Sequence, residues 1–400
     1  MRALHLAGSL SYLDGIALTE PAGAPVLPPP DLRVQRLHDY LQRSPAVFSV
    51  KDWGARGDGR TDDTTGLQRA VDRAGAVGGT VLFPAGVYRF SATLGIRGDG
   101  TELVGLGGSR LVATTTLDRL IDSNDFGGLH FQGLTIEGTG VQAIGGRGTI
   151  HLDGGSRDCV VARCRIVNAP GTAITDDGER NAIIHNVVDG TGEHGIYSSS
   201  GVGSRYHGNH LRRIGHVPRC MLGCHGISLA GSRSCAVEGN TIDDARGVGI
   251  ALRDGARYCT VRGNAIGRGT DRHIALGTAN DCDVVGNSMS DVAAGVDAVR
   301  IDGGGRYVIA GNLIRRSTAG GAGIRWTTAG VTGGDDVYAN LIMLEGSAIS
   351  QWGIDADSET LVDVRIHRNT IKALAGAAPP GAIRVRTGAA VQVYDNDAED

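Results

Sequence analysis

Aromatic side chains are scarce in this chain: Phe, Trp and Tyr make up 4% of the residues, although hydrophobic residues of all kinds reach 41%. A core with so few large rings is built from Val, Ile, Leu and Ala in thin, regular layers, which argues against one bulky globular centre. Lysine is almost absent, Lys51 and Lys372 being the only two. The formal net charge is −4 and no basic tract stands out, so the chain carries no nucleic-acid footprint. No apolar run approaches the length of a membrane span. The first thirty residues hold one early arginine and an apolar run broken by serine and aspartate, a poor secretory leader. The expected location is therefore the cytoplasm, with a phage origin equally compatible. The seven cysteines are an odd number and too sparse for the framework of a small secreted domain.

What the chain has in abundance is glycine, 64 residues of it, and a refrain. Asparagines recur at Asn186, Asn209, Asn240, Asn264, Asn287, Asn312, Asn340, Asn369 and Asn396, each closing a short β-like run such as "CAVEGN" or "YVIAGN". The steps fall between 22 and 29 residues, except one of 31. About thirteen residues before most of them stands an aliphatic residue: Ile174, Ile196, Ile227, Ile250, Ile274, Val299 and Ile383, with Ile324 and Ile349 leading longer units and Ile150 with Cys164 one turn earlier. Short strands separated by glycine-rich bends at this period predict a parallel β-helix, in which each turn stacks on the last at about 4.8 Å. Like side chains then align in columns, and asparagines at a bend can hydrogen-bond from turn to turn. Cys159, Cys235, Cys259 and Cys282 share a register and read as a second interior column.

The segment "TDDTTGLQRAVDRAG" puts Leu67, Ala70, Val71 and Ala74 on one helical face, behind polar residues suited to a helix start. A helix over about 62–75 would shield the open end of the solenoid. Residues 1–47 form an extension with a proline-rich linker and a short helix over 31–44, the β-helix runs over 48–397, and 398–400 are a tail. The phrase "FSVKDWGARGDGRTDDTTGLQRAVDRAGAVGGTVLFPAGVYRF" (48–90) resembles the opening of the pectate-lyase-like superfamily of right-handed parallel β-helix proteins. That superfamily includes polygalacturonase-like hydrolases, uronan lyases and epimerases, and phage tailspikes. The resemblance implies an all-β fold and a carbohydrate-linked substrate; a fold of this kind hosts many chemistries.

Alternate residues of a strand face opposite ways, so the neighbours of each inward aliphatic residue form an outward ladder. Acids lie toward its N-terminal end (Asp122, Asp153, Asp177), with His151, His194, Tyr197 and His225 following. Arginines lie toward the other end (Arg253, Arg300 with Asp302, Arg325). Asp176 is expected to point inward. The two phrases "HGIYSSSG" (194–201) and "HGISLAGS" (225–232) share glycine and isoleucine as the refrain, with the histidines just outside it. An insertion, "RRIGHVPRCMLGC" (212–224), precedes the second phrase, and loops of this kind commonly wall a binding face. His216, Cys220, Cys224 and His225 have zinc-ligand chemistry without the usual cysteine spacing, and a surface disulfide or free thiols are the favoured alternatives.

Removing a proton beside a sugar carboxylate takes a base, a group that neutralises the carboxylate, and an acid. His194, His225 and Tyr197 have the first and last chemistries, Asp153 and Asp177 complete the catalytic set, and Arg253, Arg300, Arg325, His151 and Asp302 form the expected substrate-binding set. The first expectation is accordingly a lyase or epimerase on a uronic-acid-containing glycan or sugar. The second is an inverting glycoside hydrolase: "CHGISLAGS" resembles a polygalacturonase strand phrase and "AITDDGE" echoes another, but the Arg-Ile-Lys phrase of those enzymes is missing. Intracellular tailoring of a small metabolite is a third reading. A non-catalytic, tailspike-like glycan binder is the fourth, with Tyr197 as the chief ring platform on this face and Trp352 as a second. No cofactor is assigned; the resemblance allows calcium, for which there is no specific motif. The expected partner is a carbohydrate or small molecule, neither nucleic acid nor membrane, and a homo-oligomer is allowed.

Overall fold

The structure, a computed structural model, describes residues 46–141, 147–216, 220, 223–291, 293–316, 320–327, 332–344, 352–373, 381–386 and 390–399. The short helix expected over 31–44 and Ile349 lie outside them. The chain winds as a right-handed parallel β-helix of about 12 turns. Among the described residues three long sheets of 14, 14 and 12 parallel strands run along the solenoid, and a three-stranded sheet joins them toward the C-terminal end. In each long sheet a strand pairs with the strand one turn away, in contrast to a hairpin in which sequence neighbours pair.

Period and register follow from which residues can be buried. In the 12-stranded sheet Ile150, Ile174, Ile196, Ile227, Ile250, Ile274, Val299, Ile324, Ile354 and Ile383 are paired in succession. Ile354, 30 residues on, takes the place after Ile324, where Ile349 was expected. A one-residue slip would turn every one of these side chains to the other face, so burial pins the register.

The asparagine column is a hydrogen-bonded spine. Asn264 illustrates its unit: Oδ1 accepts from both the backbone N–H and Nδ2 of Asn240, while Nδ2 donates to Val237 O and Asn287 Oδ1, all at 2.9 Å. The pattern runs from Asn186 to Asn396, and Cys164 N–H donates to Asn186 Oδ1 at its start. Bends that would otherwise bury unpaired amides are thereby satisfied. Cys159, Cys235, Cys259 and Cys282 are buried free thiols, as a stacked interior column requires.

The cap helix spans Thr64–Gly75 and buries Leu67, Ala70, Val71 and Ala74 against the first turn. Asp63, at its N-terminal boundary, accepts hydrogen bonds from the backbone N–H groups of Arg56 and Gly57, tying the helix start to the preceding loop. Among the described residues no helix is long and apolar enough to cross a membrane.

Candidate active site

The outward face of the 12-stranded sheet carries a cleft of about 500 Å³ lined by Arg147, His151, Thr172, Thr175, Asp177, Glu193, His194, Tyr197, Ser199 and Arg253. Its floor comes from three successive strands, Gly148–Leu152, Ile174–Asp176 and Ile196–Ser198, with His151, Thr175 and Tyr197 in one transverse row that the buried Ser228 continues on Ile227–Ala230. The glycine of each His-Gly-Ile phrase sets how closely the turns approach. A Cβ at Gly195 would stand 2.4 Å from Leu211 Cδ2 and 2.6 Å from Gly226 O, and one at Gly226 would stand 2.5 Å from Gly249 O. Any side chain there would push the sheets apart, so these glycines serve packing and leave the flanking residues for chemistry.

At one end of the cleft His151 is buried in a cage of acids. Its Nδ1 lies 3.2 Å from Asp122 Oδ1 and 3.1 Å from Asp153 Oδ1, and Nε2 lies 3.9 Å from Asp177 Oδ2. Burial disfavours the imidazolium, but the contacts with Asp122 and Asp177 and the charge of Asp153 outweigh it and push the pKa up to about 9. His151 is thus a cation at neutral pH. Burial also acts against the Asp177 carboxylate; the bond to His151 and those from Ser199 N–H and Oγ, both 2.8 Å, overcome it and hold Asp177 ionised. Asp153, half-buried beside Asp122, is shifted upward by its partial burial and by that neighbour. Arg119 closes the cage with a guanidinium 2.5 Å from Asp122 and 3.9 Å from Asp153.

Three cage residues, Asp122, His151 and Asp153, hold ligand atoms within 4.8 Å of one another. A hard cation such as calcium wants six to eight oxygens, and here the three ligand atoms are two carboxylate oxygens and an imidazole nitrogen, with the Arg119 guanidinium 2.5 Å from Asp122. The residues present do not fit that ion.

In the middle of the cleft the His194 and Tyr197 rings stack at 5.0 Å and 12°, and the His225 ring is tilted 39° against His194 at 5.2 Å. Arg253 lies over the Tyr197 ring at 5.8 Å and donates to Ser228 Oγ at 3.1 Å. Burial pushes the Tyr197 phenol up, Asp177 and Asp254 adding to it against the pull of Arg253, so the hydroxyl keeps its proton. Burial, His225 and Arg253 depress His194 to about 3, and burial followed by Arg253 depresses His225 to about 4. Both imidazoles are neutral. Each also accepts a backbone hydrogen bond at Nδ1: His194 from His225 N–H and His225 from Val248 N–H, both 3.0 Å. The lone pair with which either would take a proton is occupied, so the expected role of base does not suit them.

Of the residues singled out from sequence, the cleft gathers His151, Asp177, His194, Tyr197 and Arg253. His225 stands behind His194, and Asp153 lies in the cage. Arg300, Asp302 and Arg325 are not among the lining residues. The strand Val299–Ile301 lies two strands beyond Ile250–Arg253, about 10 Å away at the usual spacing. There Arg300 pairs with Asp302 at 2.7 Å and Arg325 with Asp355 at 2.9 Å, an ion-pair ladder continued by Arg384. Trp352 is covered by Arg384, 5.2 Å above its ring. Cys220 and Cys224 form a disulfide and His216 pairs with Asp244 at 3.1 Å, which removes the zinc alternative in the inserted loop. Asp176 is buried, as expected, accepting from Tyr206 at 2.8 Å.

Two residues of the cleft carry no signal in the strand pattern. Glu193 precedes the strand rather than standing on it, and burial together with the charge of Asp118 raises its carboxyl above the usual range. Arg147 lines the cleft without an ion-pair partner among the described residues. A search for charged residues just ahead of each refrain would have flagged both.

Comparison with known proteins agrees with this picture. Over 86 residues the chain is 48% identical to mannuronan C5-epimerase AlgE1 of Azotobacter vinelandii, a match covering 20% of this chain and 6% of that protein. It is 58% identical over 45 residues to alginate lyase 7 of the same organism, 11% of this chain and 5% of that one. The chain thus spans only a small part of the length of these relatives. The fold matches the A-module of mannuronan C-5 epimerase AlgE6 from Azotobacter vinelandii with a TM-score of 0.71 at 18% identity, over 88% of this chain and 99% of the module. Residues 47–286 match the family described as rhamnogalacturonase A/epimerase, pectate lyase-like, and the chain belongs to that family.

Proposed function

We propose that this chain is a uronan epimerase or lyase, an enzyme that removes the C5 proton of a uronic-acid residue beside its carboxylate. The observation that carries the reading is the cleft's charge layout: cationic Arg147 and Arg253 line the same cleft as a protonated Tyr197 phenol, which lies under Arg253 and stacks on neutral His194. The carboxylate must be bound by cations before the C5 proton becomes acidic enough to leave, and a guanidinium does so with two parallel hydrogen bonds. Glu193 is the base: its carboxyl makes no hydrogen bond among the described residues, and its raised pKa makes it the stronger proton acceptor of the two lining carboxylates. Tyr197 is the acid. Returned to C5 on the opposite face, its proton gives the epimer. Given instead to the C4 oxygen as the C4–O bond breaks and the C5–H electrons form the C4–C5 double bond, it gives the unsaturated lyase product. The activities named for AlgE1 and alginate lyase 7 are the two outcomes of this shared first step.

A second reading rests on the same carboxylates. Asp177 is held ionised while Glu193 is raised, the division of labour an inverting glycoside hydrolase needs between base and acid. One experiment separates the readings. Mannuronan, guluronan, polygalacturonate and neutral glycans are incubated with the protein, and ultraviolet absorbance, reducing ends and the C5 configuration by proton NMR are followed together. New absorbance marks the lyase and an altered C5 signal without cleavage marks the epimerase. Reducing ends without absorbance mark the hydrolase, and no change on any uronan would sink the proposal.

A further inference from the structure

The two His-Gly-Ile phrases do one thing twice. At the entry to each strand the backbone N–H of the following turn points back along the solenoid, and the imidazole of the preceding turn takes it at Nδ1. His225 N–H goes to His194, and Val248 N–H goes to His225. An imidazole that accepts at Nδ1 and carries no charge must hold its single proton on Nε2. For His194 that nitrogen has no hydrogen-bond partner among the described residues, nor is it among their buried unpartnered atoms, and the ring lines the cleft beside Glu193 and Tyr197.

We propose that His194 serves the reaction as a neutral hydrogen-bond donor, offering Nε2–H to the carboxylate oxygen that gains charge as the proton leaves C5, and that His225 is the positioning residue whose backbone N–H locks this tautomer. This rests on the epimerase–lyase reading above. Proton loss from C5 spreads negative charge onto the carboxylate oxygens, and a donor fixed beforehand stabilises that charge without reorganising. Neutral imidazole suits the task better than imidazolium. Its N–H acidity is closer to that of the oxygen it serves, so it donates a strong hydrogen bond without surrendering the proton. The depressed pKa values of both rings agree with the geometry: burial first, and then the neighbouring charge of Arg253, keeps the second proton off.

Two variants and one spectrum test this. Asparagine can place an amide oxygen where Nδ1 sits but has nothing at the position of Nε2, whereas glutamine reaches the Nε2 position with an N–H but gives up the Nδ1 cap. His194→Asn is therefore expected to fold with near wild-type melting and to lose about 10²–10³-fold in turnover, the usual loss for one such donor. His194→Gln is expected to melt lower and to keep turnover within about tenfold of wild type, with the acid limb of its pH profile unmoved. A His194→Gln protein as inactive as His194→Asn would overturn the proposal. Independently of turnover, long-range 1H–15N correlation spectra of the full chain should show His194 as the Nε2–H tautomer through the mildly acidic range. Its Nε2–H signal should shift on titration with oligomannuronate or oligogalacturonate. An Nδ1–H pattern, or a saturating oligouronate that leaves the signal in place, would refute the donor role even in a protein without uronan turnover. Silence on every uronan with a shifted signal would sink the epimerase–lyase step and keep the donor contact.

Discussion

His151 offers the sharpest test of the cleft's electrostatics. Its pKa of about 9 in the folded chain stands above the ordinary 6.5, so the folded state holds the proton more tightly than the unfolded one. The stabilisation is complete below the unfolded pKa and is lost as pH rises through the folded pKa. Each pKa unit is worth about 1.4 kcal/mol, so the full window corresponds to ~3 kcal/mol, for a side chain that is almost wholly buried. The perturbation is His151→Asn, which removes the titrating cation and leaves Asp122, Asp153 and Asp177 around a neutral amide. Urea unfolding followed by circular dichroism, at steps from about pH 6 to about pH 9.5, reads the effect. The wild-type protein should lose roughly 3 kcal/mol across that range in excess of the variant, and the variant should begin less stable. Equal pH slopes in the two proteins would show that His151 is not held as a cation, and the charge layout of the cleft would have to be redrawn.

Asn264→Ala removes four hydrogen bonds at 2.9 Å and strands buried groups on both neighbouring turns, so it should cost about 3 kcal/mol of stability with uronan turnover retained below the transition. A loss under about 1 kcal/mol in thermal or urea unfolding would mean that the column is ornament rather than spine. Tyr197→Phe keeps the ring stacked on His194 and deletes the acid. Turnover should fall by about 10²–10⁴-fold with melting unchanged, and a variant of near wild-type rate would remove Tyr197 from the reaction. Arg253→Gln should weaken oligouronate binding by about tenfold or more, as read by calorimetry, while neutral oligosaccharides bind as before. Equal weakening for both classes would indicate a packing role over the Tyr197 ring.

Much of the fold could be read from side chains alone because a solenoid is nearly one-dimensional. Every turn must bury the same kind of residue at the same place, so Ile150 through Ile383 and the Asn186–Asn396 spine announce the period directly. Where the spacing departs from the period, as between Ile324 and Ile354, counting fails, because only the pairing of strands says which aliphatic residue resumes the column. The site was legible to the extent that it stands on strands. His151, Tyr197 and Arg253 stand on strands and follow from alternation, and Asp177 and His194 flank strands beside the refrain, while Glu193 and Arg147 stand ahead of strands, where alternation assigns no face.

The sequence by itself determined the solenoid, its hydrogen-bonded spine and the face on which histidines, a tyrosine and acids collect, because those depend on spacing, and spacing is written in the chain. The tertiary structure alone decided what each group is. His151 is a cation because three acids from separate turns surround it, and His194 is a neutral donor because a backbone N–H, 31 residues on, occupies its other nitrogen. Arg300 and Arg325 are paired with Asp302 and Asp355 and stand outside the lining of this cleft. Charge and tautomer are set by neighbours within a few ångströms in space, and in a stacked solenoid most of those neighbours lie a full turn away in sequence.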